Sequence, residues 1–268
     1  MDDIIKIKDL SFSYDKKMLY DGFSLTLKTG TFATIMGKSG SGKSTLAKIM
    51  SGVINSKSYI KINNMFVNAK NMKSIRKSVG FVAENSNNLF VFDTVEENIY
   101  FALKSYGYER KDVENIIKKI SKKLDIEYLL SLQTNSLSGG ERQLIALLVA
   151  LSHHPNLLII DDGLNMVDNN RRENIFKFLK NLNKKGLTII NFTHDSEDLL
   201  KGNEIIIIQD GKIALQSDLK HAFLNDKIFT DNKLALPFIV DLSIKLQYYH
   251  TIDGIYLNSK QLVNDIWK

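Results

Sequence analysis

The chain of 268 residues contains no cysteine, which excludes disulfide bonds and thiolate metal sites and fits a reducing compartment. It has only two prolines, Pro155 and Pro237, and neither an internal repeat nor a low-complexity linker. Apolar runs are short: the longest, Leu144 to Leu151, has the length of a buried helix segment and falls below the roughly 18 residues that cross a membrane. The start, MDDIIKIKDL, does not have the pattern of a secretory leader. We therefore expect a soluble protein.

Positive charge is in modest excess, with a net charge of +6 at pH 7. The lysines are spread through helical patterns rather than gathered in one block, which favours solvated faces over a nucleic-acid patch. Attraction to an anionic membrane surface stays open. A hydrophobic content of 44% over this length is enough for one large domain, or for a domain with an appendage.

Strand and helix patterns alternate along the chain. IIKIKDLSFSY and FSLTLKTG have the alternation of strands, and FATIM is a short apolar run typical of a central parallel strand. Residues 85–132 are mostly helical by pattern, and later segments alternate: GERQLIALLVALS, NLLIID, RRENIFKFLKNLN, LTIINFT and EIIIIQDGKIALQ. The order predicts an α/β fold with a mostly parallel core sheet. From about Asp218 we expect a small helical appendage, which includes PFIVDLSIKLQYY.

A phosphate-binding loop is predicted between FATIM and the following helix. Residues 37–44 fit the pattern G-x-x-x-x-G-K-[ST], in which glycines let successive N–H groups face one anion at a helix N-terminus. Lys43 is expected at the β- and γ-phosphates of ATP, and Ser44 at Mg²⁺. The alternative is a glycine-rich turn without a ligand. The expected nucleotide contacts are Gly37, Lys38, Ser39, Gly40, Ser41, Gly42, Lys43, Ser44 and Thr45.

A second cluster of small residues begins a later helix. In LSGGERQ, residues 137–143, Ser138, Gly139 and Gly140 form another anion-binding helix start without a lysine of its own. This sequence resembles the ATP-binding cassette (ABC) family, whose signature is LSGGQ.

Further motifs support the resemblance. LLIIDD resembles the family's Walker B strand, with Asp161 in the Mg²⁺ position, and NMVD, residues 165–168, resembles its D-loop. His194 ends a strand as the family's switch histidine does, and Tyr14 stands where an aromatic ring stacks on adenine. The motif order favours the switch role over an ordinary structural histidine. His153 and His154 have no such context and are expected to be exposed.

The resemblance covers residues 3–217 and implies the family's architecture: a mostly parallel core sheet, an antiparallel β subdomain and a helical subdomain over about 85–155. The domain plan is then residues 1–217 for the ATPase and 218–268 for a helical domain that promotes dimerisation. Family members form head-to-tail dimers. Ser138, Gly139, Gly140 and Glu141 are therefore expected to contact the nucleotide of a second ABC ATPase subunit.

One group within the family is favoured. VGFVAENSNNLFVFDTVEENIYFAL, residues 79–103, and the C-terminal LALPFIVDLSIKL and YLNSKQLVNDIW resemble ATPases of energy-coupling factor (ECF) transporters, bacterial uptake systems for vitamins or transition metals. A membrane-embedded subunit is expected to dock near residues 84–92, at the cytoplasmic face of the membrane, with no nucleic-acid partner. Another importer ATPase and a soluble regulatory or scaffold ATPase remain alternatives. The interval between Lys43 and Ser138 has no heptads for the coiled coil of a DNA-repair ATPase, and one cassette excludes a two-cassette translation factor.

Four positions depart from the family pattern. Asp162 replaces the catalytic Glu that follows Walker B, Gly163-Leu164 replaces Pro-Thr or Ala-Thr, Glu84 replaces the Q-loop Gln, and Glu141 replaces the signature Gln. The shorter Asp162 predicts slow hydrolysis, because a misplacement of about 1 Å costs on the order of 10²-fold in rate.

Most departures belong to the chain's own nucleotide site, whereas LSGG is intact. A heterodimer with two unequal sites is therefore expected, and a homodimer is the alternative. The expected catalytic residues are Asp162, His194 and Glu84, and the expected metal ligands are Ser44, Asp161 and Glu84. Asp161, Asp162 and Glu84 are expected to surround one Mg²⁺.

The appendage is predicted to pack at a partner interface rather than against the chain's own core. The apolar residues behind this prediction are Phe238, Ile239, Leu242, Ile244 and Leu246.

Overall fold

A computed structural model describes residues 2–15, 17–85 and 90–267 of the chain. The strands in these residues are β1 (Asp3–Tyr14), β2 (Lys17–Lys28), β3 (Phe32–Met36), β4 (Tyr59–Ile62), β5 (Met65–Phe66), β6 (Val79–Val82), β7 (Leu157–Asp161), β8 (Thr188–Phe192), β9 (Glu204–Gln209) and β10 (Lys212–Asp218). The α-helices are α1 (Lys43–Met50), α2 (Met72–Ser78), α3 (Val95–Ser105), α4 (Arg110–Leu124), α5 (Gly139–Ser152), α6 (Asn169–Asn183), α7 (Leu219–Leu224), α8 (Lys227–Asp231), α9 (Phe238–Tyr248) and α10 (Ser259–Ile266).

The core sheet has the order β10-β9-β3-β8-β7-β6. All neighbours pair in parallel except β10, which forms an antiparallel hairpin with β9. Every residue of β3, β7 and β8 is buried, which explains why these strands are mostly apolar and do not alternate between apolar and polar residues. The prediction of a mostly parallel core sheet is confirmed.

A second, antiparallel sheet has the order β2-β1-β4-β5 and packs through its apolar face on α1. The helical subdomain is formed by α3, α4 and α5, which pack together through buried aliphatic side chains. The helices α3 and α5 each begin with a capping box, Thr94 with Glu97 and Ser138 with Glu141, which fixes where the helix starts. Among the described residues, none of the helices combines the length and apolar character needed to span a membrane.

The C-terminal helices α7 to α9 pack against the ATPase core. Phe223, Phe229 and Val240 are fully buried in one apolar cluster with Met36 of β3 and Ile207 of β9. Ile239 and Ile244 also pack on this cluster. The prediction that the appendage does not pack against its own core is therefore wrong, because one face of the helices covers β3 and β9.

His153 is also placed differently from expectation. His154 is exposed as predicted, but His153 is only 7% exposed. Its ring stacks on Tyr106 with the ring centres 4.3 Å apart, and its Nε2 lies 3.3 Å from the carbonyl oxygen of Val79. Burial lowers the pKa of His153, which favours the neutral ring.

Candidate nucleotide site

The loop between β3 and α1 is wrapped around a buried lysine. Lys43 is 5% exposed, and its ammonium donates to the carbonyl oxygens of Gly37 at 2.7 Å and Lys38 at 3.1 Å. Gly42 precedes α1 with φ +100°, a conformation that L side chains rarely adopt, and a Cβ there would lie 2.5 Å from the Tyr20 hydroxyl. The loop therefore needs glycine at this position to turn into the helix.

Burial and the neighbouring acids shift the pKa of Lys43 in opposite directions. Burial lowers the pKa of Lys43, while the negative charges of Asp162 and Asp161 raise it. A cation at the start of α1, next to backbone N–H groups of the first helical turn, is suited to an anion with several oxygens.

A serine and an aspartate meet beside this lysine. The Ser44 hydroxyl on α1 donates to Oδ1 of Asp161, the last residue of β7, at 2.9 Å. Asp161 is 2% exposed, and burial raises its pKa while the Ser44 hydrogen bond lowers it. A hydroxyl and a carboxylate at the edge of a phosphate loop are the oxygen ligands that Mg²⁺ uses next to substrate phosphates. The donor set therefore fits Mg²⁺.

A cleft of about 430 Å³ opens over the loop. Tyr14 is half exposed at its rim, and the Thr45 hydroxyl donates to the Tyr14 hydroxyl at 3.4 Å. The expected residues that line this cleft are Tyr14, Ser39, Gly40, Gly42, Lys43, Ser44, Thr45, Glu84, Asp162 and His194. The fold thus gathers residues from five separate segments, four of which follow the carboxyl ends of β3, β6, β7 and β8.

Asp162 lies in the turn after β7 and is held by the segment after β8. Its N–H donates to the carbonyl oxygen of Phe192 at 2.9 Å. Its Oδ1 accepts the backbone N–H of His194 at 3.2 Å, and its Oδ2 lies 3.4 Å from Nε2 of the same histidine. Burial raises the pKa of Asp162, and the proximity of His194 lowers it. Both carboxylate oxygens therefore face His194.

The three expected carboxylates do not form a metal cluster. Glu84 is exposed at the rim of the cleft, and its charge raises the pKa of both Asp161 and Asp162. In the part of the chain that the structure describes, no group of three Asp, Glu, His or Cys side chains is arranged to hold a metal ion. The expectation that Asp161, Asp162 and Glu84 surround one Mg²⁺ is corrected, since Glu84 follows β6 on a separate, exposed loop.

The signature residues lie outside this cleft. Ser138 caps α5, and the Glu141 carboxylate accepts the Ser138 N–H at 2.8 Å and the Ser138 hydroxyl at 2.7 Å. These bonds lower the pKa of Glu141. Ser138, Gly139, Gly140 and Glu141 do not line the cavity at Lys43.

Gln143 is a site residue that the sequence motifs did not single out. It is 1% exposed, its Oε1 accepts the N–H of Met166 at 2.9 Å, and its Nε2 donates to Asn165 Oδ1 at 2.7 Å and to the Glu84 carbonyl oxygen at 3.3 Å. One amide thus joins the signature helix to the Glu84 loop and to the segment after Asp162. The sequence signal for Gln143 is an amide side chain at the end of the signature segment, just before an apolar run.

Packing explains one departure from the family pattern. A Cβ at Gly163 would lie 2.5 Å from Cγ1 of Val82 and 3.0 Å from the Val82 carbonyl oxygen. The turn after Asp162 therefore passes so close to the end of β6 that a larger residue does not fit without movement.

Comparison with known proteins agrees with this geometry. The family described as "ABC transporter" matches residues 20–165. The chain is 32% identical over 99% of its length to an energy-coupling factor transporter ATP-binding protein EcfA1 of Mesomycoplasma hyopneumoniae, strain 7448, of which 98% is covered. It is 31% identical to the EcfA1 protein of Fusobacterium nucleatum, with 99% of each chain covered.

Solved structures that resemble this chain are also ATP-binding cassettes. The structure of cbiO1 from Clostridium perfringens, part of the ABC transporter complex cbiONQ, superposes with a TM-score of 0.74 at 26% identity, over 90% of this chain and 99% of that one. A dimeric ATP-binding cassette in a post-hydrolysis state bound to ADP and Pi superposes with a TM-score of 0.71 at 27% identity, over 80% and 98%.

The fold and the site define a P-loop ATPase of the cassette type, and the chain belongs to the ABC transporter family, in which ATP hydrolysis is coupled to transport. Within that family its sequence is similar to the ATP-binding proteins of energy-coupling factor transporters. The resemblance read from the motifs is confirmed.

Proposed function

We propose that this chain is the ATP-binding subunit of an ECF-type uptake transporter and that hydrolysis at its own nucleotide site is slow. The observation that carries the second part is the position of Asp162, whose two carboxylate oxygens both face His194. A general base must reach the water that attacks the γ-phosphate. A side chain one C–C bond shorter than Glu, and turned toward His194, lacks that reach.

The remaining residues of the cleft are suited to binding. Lys43 and the N–H groups at the start of α1 would hold the β- and γ-phosphates, and Tyr14 would stack on the adenine ring. Ser44 and Asp161 would hold Mg²⁺, which neutralises charge on the phosphates. Charge stabilisation and positioning supply most of the catalysis of phosphoryl transfer. We therefore infer tight binding with weak turnover.

A dimer of unequal sites follows from this arrangement. Ser138, Gly139, Gly140 and Glu141 lie outside the chain's own cleft, which fits a role at the nucleotide of a partner ATPase. In this proposal the chain retains ATP at a weak site and completes a competent site on the partner. A homodimer would carry two weak sites, so we favour a heterodimer.

The segment after Glu84 is the proposed docking surface for the membrane subunit. Residues 86–89 lie outside the described residues. Beyond them, Val91 is 72% exposed, and Phe92 and Phe101 form an exposed aromatic pair. The buried Asn98 fixes this loop, since its Oδ1 accepts the N–H groups of Val91 at 2.6 Å and Phe92 at 3.0 Å. An exposed apolar surface on a fixed loop is suited to a protein partner.

The C-terminal helices are the proposed dimer contact. Although one face of them covers the core, the other exposes large aromatic side chains: Phe238, Tyr248, Tyr249 and Trp267 are each more than 70% exposed. We place the assembly at the cytoplasmic face of a bacterial membrane and its cargo among the vitamins or transition metals.

Purification of the tagged chain from its native membrane, followed by mass spectrometry, tests the proposal. We expect a second, different ABC ATPase and a multi-spanning membrane protein in stoichiometric amounts. A homodimer alone would contradict the heterodimer, and a purely soluble complex would favour a regulatory ATPase.

A further inference from the structure

A larger cleft lies at the opposite edge of the core sheet from the nucleotide site. Its volume is about 770 Å³, and it is bordered by Asn156 and Leu187, which directly precede β7 and β8. Because the strands are parallel, their amino ends are at the edge away from Asp161 and His194. The size falls within the range of small-molecule sites. Nothing in the proposed ATPase cycle uses this cleft.

The floor of the cleft is apolar. Ile120 of α4 and Leu151 of α5 are buried there, and Phe178 and Leu182 of α6 are half buried beside them. The three helices come from the helical subdomain and from the core, so the cleft lies at a junction of subdomains.

The rim carries positive charge without counter-ions. Lys119 and Lys123 are one helical turn apart on α4 and therefore share a face, and Lys185 lies in the loop before β8. Among the described residues, no carboxylate lies within ion-pair distance of these three ammonium groups. Of the acids at the rim, Asp3 is already paired with Lys28 at 2.6 Å, which leaves Asp2.

An amide donor at the cleft also lacks a protein partner. Nδ2 of Asn63 is buried and makes no hydrogen bond to the described residues. A buried donor without an acceptor costs about 1–3 kcal/mol.

We propose that this cleft binds an amphipathic anion, a molecule with one phosphate or carboxylate on an apolar chain or ring. Its anionic group lies among Lys119, Lys123 and Lys185, and its apolar part lies on Ile120 and Leu151. Charge complementarity identifies the occupant, because three unpaired ammonium groups above an apolar floor favour an anion and disfavour a cation of the same shape. The site is independent of the proposed transport role.

Isothermal titration of the full-length chain with decyl phosphate and with decanoate, both kept monomeric, tests the site. Saturable one-to-one binding of either is expected, and the two arms distinguish phosphate from carboxylate. Decyltrimethylammonium and inorganic phosphate should bind at least about 10-fold more weakly. Binding should persist with saturating ADP and Mg²⁺, and displacement by ADP would place the amphiphile in the nucleotide site and overturn the proposal.

Two matched double variants test whether the lysines at the rim of the cleft bind the anionic group. Lys119→Ala with Lys123→Ala should weaken binding about 2- to 30-fold, the effect of two lost exposed ion pairs. Lys118→Ala with Lys122→Ala removes the same charge from neighbouring exposed positions of α4 and should leave binding unchanged. Equal losses in both would mean diffuse attraction and overturn the site. Binding to anionic phosphatidylglycerol vesicles without any binding of the soluble amphiphiles would also overturn it, in favour of a membrane contact.

Discussion

Both carboxylate oxygens of Asp162 contact His194 at the carboxyl end of the core sheet. Asp162 Oδ1 accepts the His194 N–H at 3.2 Å while its Oδ2 lies 3.4 Å from Nε2, and Asp162 is only 8% exposed. A carboxylate in this position holds the loop after β8 in place. The phosphate loop beside it is complete, so the site separates the residues that bind nucleotide from the residue that should activate water.

Lys43→Ala should weaken ATP binding about 10- to 100-fold, because a hydrogen bond to a charged group is worth roughly 1.5–3 kcal/mol. Isothermal titration with ATP and Mg²⁺ measures this, and circular dichroism checks that the variant folds. Lys57→Ala is the matched control, since Lys57 is exposed and does not line the cleft. Unchanged affinity in a folded Lys43→Ala protein would refute the phosphate-loop assignment.

Gln143→Leu should loosen the segment after Asp162 without unfolding the chain. The Met166 N–H loses its acceptor, so its hydrogen exchange should become about 3- to 10-fold faster, the effect of one lost hydrogen bond. Hydrogen exchange with mass spectrometry over residues 163–168 detects this. Glu141→Gln, a change of similar size two residues earlier in the same helix, is compatible with the capping box and should leave that peptide unchanged. The proposed linking role of Gln143 fails if both variants exchange like the wild type.

Stability should depend on pH through His153. Burial lowers the pKa of His153 in the folded state, so the unfolded chain binds the proton first as pH falls below about 6.5. The stabilisation is present above that pH and is lost toward the folded-state pKa, with a slope of at most about 1.4 kcal/mol per pH unit. Urea unfolding between pH 7.5 and 5.5 measures the slope.

An exposed histidine elsewhere in the chain supplies the control for this measurement. His153→Gln should reduce the slope, whereas His250→Gln should not, because His250 is exposed and is not among the groups that shift the pKa of His153. Equal slopes in the wild type and His153→Gln would contradict the assignment.

Tyr248→Ser with Tyr249→Ser should weaken dimerisation about 10-fold or more, since exposed aromatic residues are frequent hot spots of interfaces. Point changes are preferable to deletion of the appendage, because deletion would uncover Met36 and Ile207. Light scattering across a dilution series measures the dimer, with Tyr59→Ser on the antiparallel sheet as control. An undiminished dimer would contradict the proposed contact.

Much of the site could be predicted because its residues belong to continuous motifs. The phosphate loop and His194 follow buried strands, Asp161 ends another, and the carboxyl ends of parallel strands meet at one edge of the sheet. Gln143 could not be predicted, since its partners come from two distant segments. His153 was misplaced for the same reason: its burial depends on Tyr106, which a local pattern around His153 does not reveal.

The C-terminal helices show a further limit of local patterns. The sequence predicts the apolar spacing of α9, but the same spacing fits both an interface with a partner and a contact with β3 and β9. Which surface is covered depends on the direction in which the chain leaves β10. Only the three-dimensional arrangement resolves this.

The central claim is that the Asp162 side chain is too short to reach the attacking water. Asp162→Glu should raise hydrolysis at this site about 10- to 10²-fold, the rate cost of a misplacement of about 1 Å. Asp162→Asn keeps the short length and removes the charge, and should give no gain. Close packing at Gly163 and the change at Glu84 can reduce the increase in rate.

The most direct measurement is single-turnover hydrolysis in the assembled dimer, with the partner's catalytic carboxylate removed so that only this site turns over. The account predicts slow release of phosphate by the wild type and a rate at least about 10-fold higher for Asp162→Glu. A wild-type rate equal to that of Asp162→Glu would contradict the account and make this chain an ordinary hydrolysing subunit.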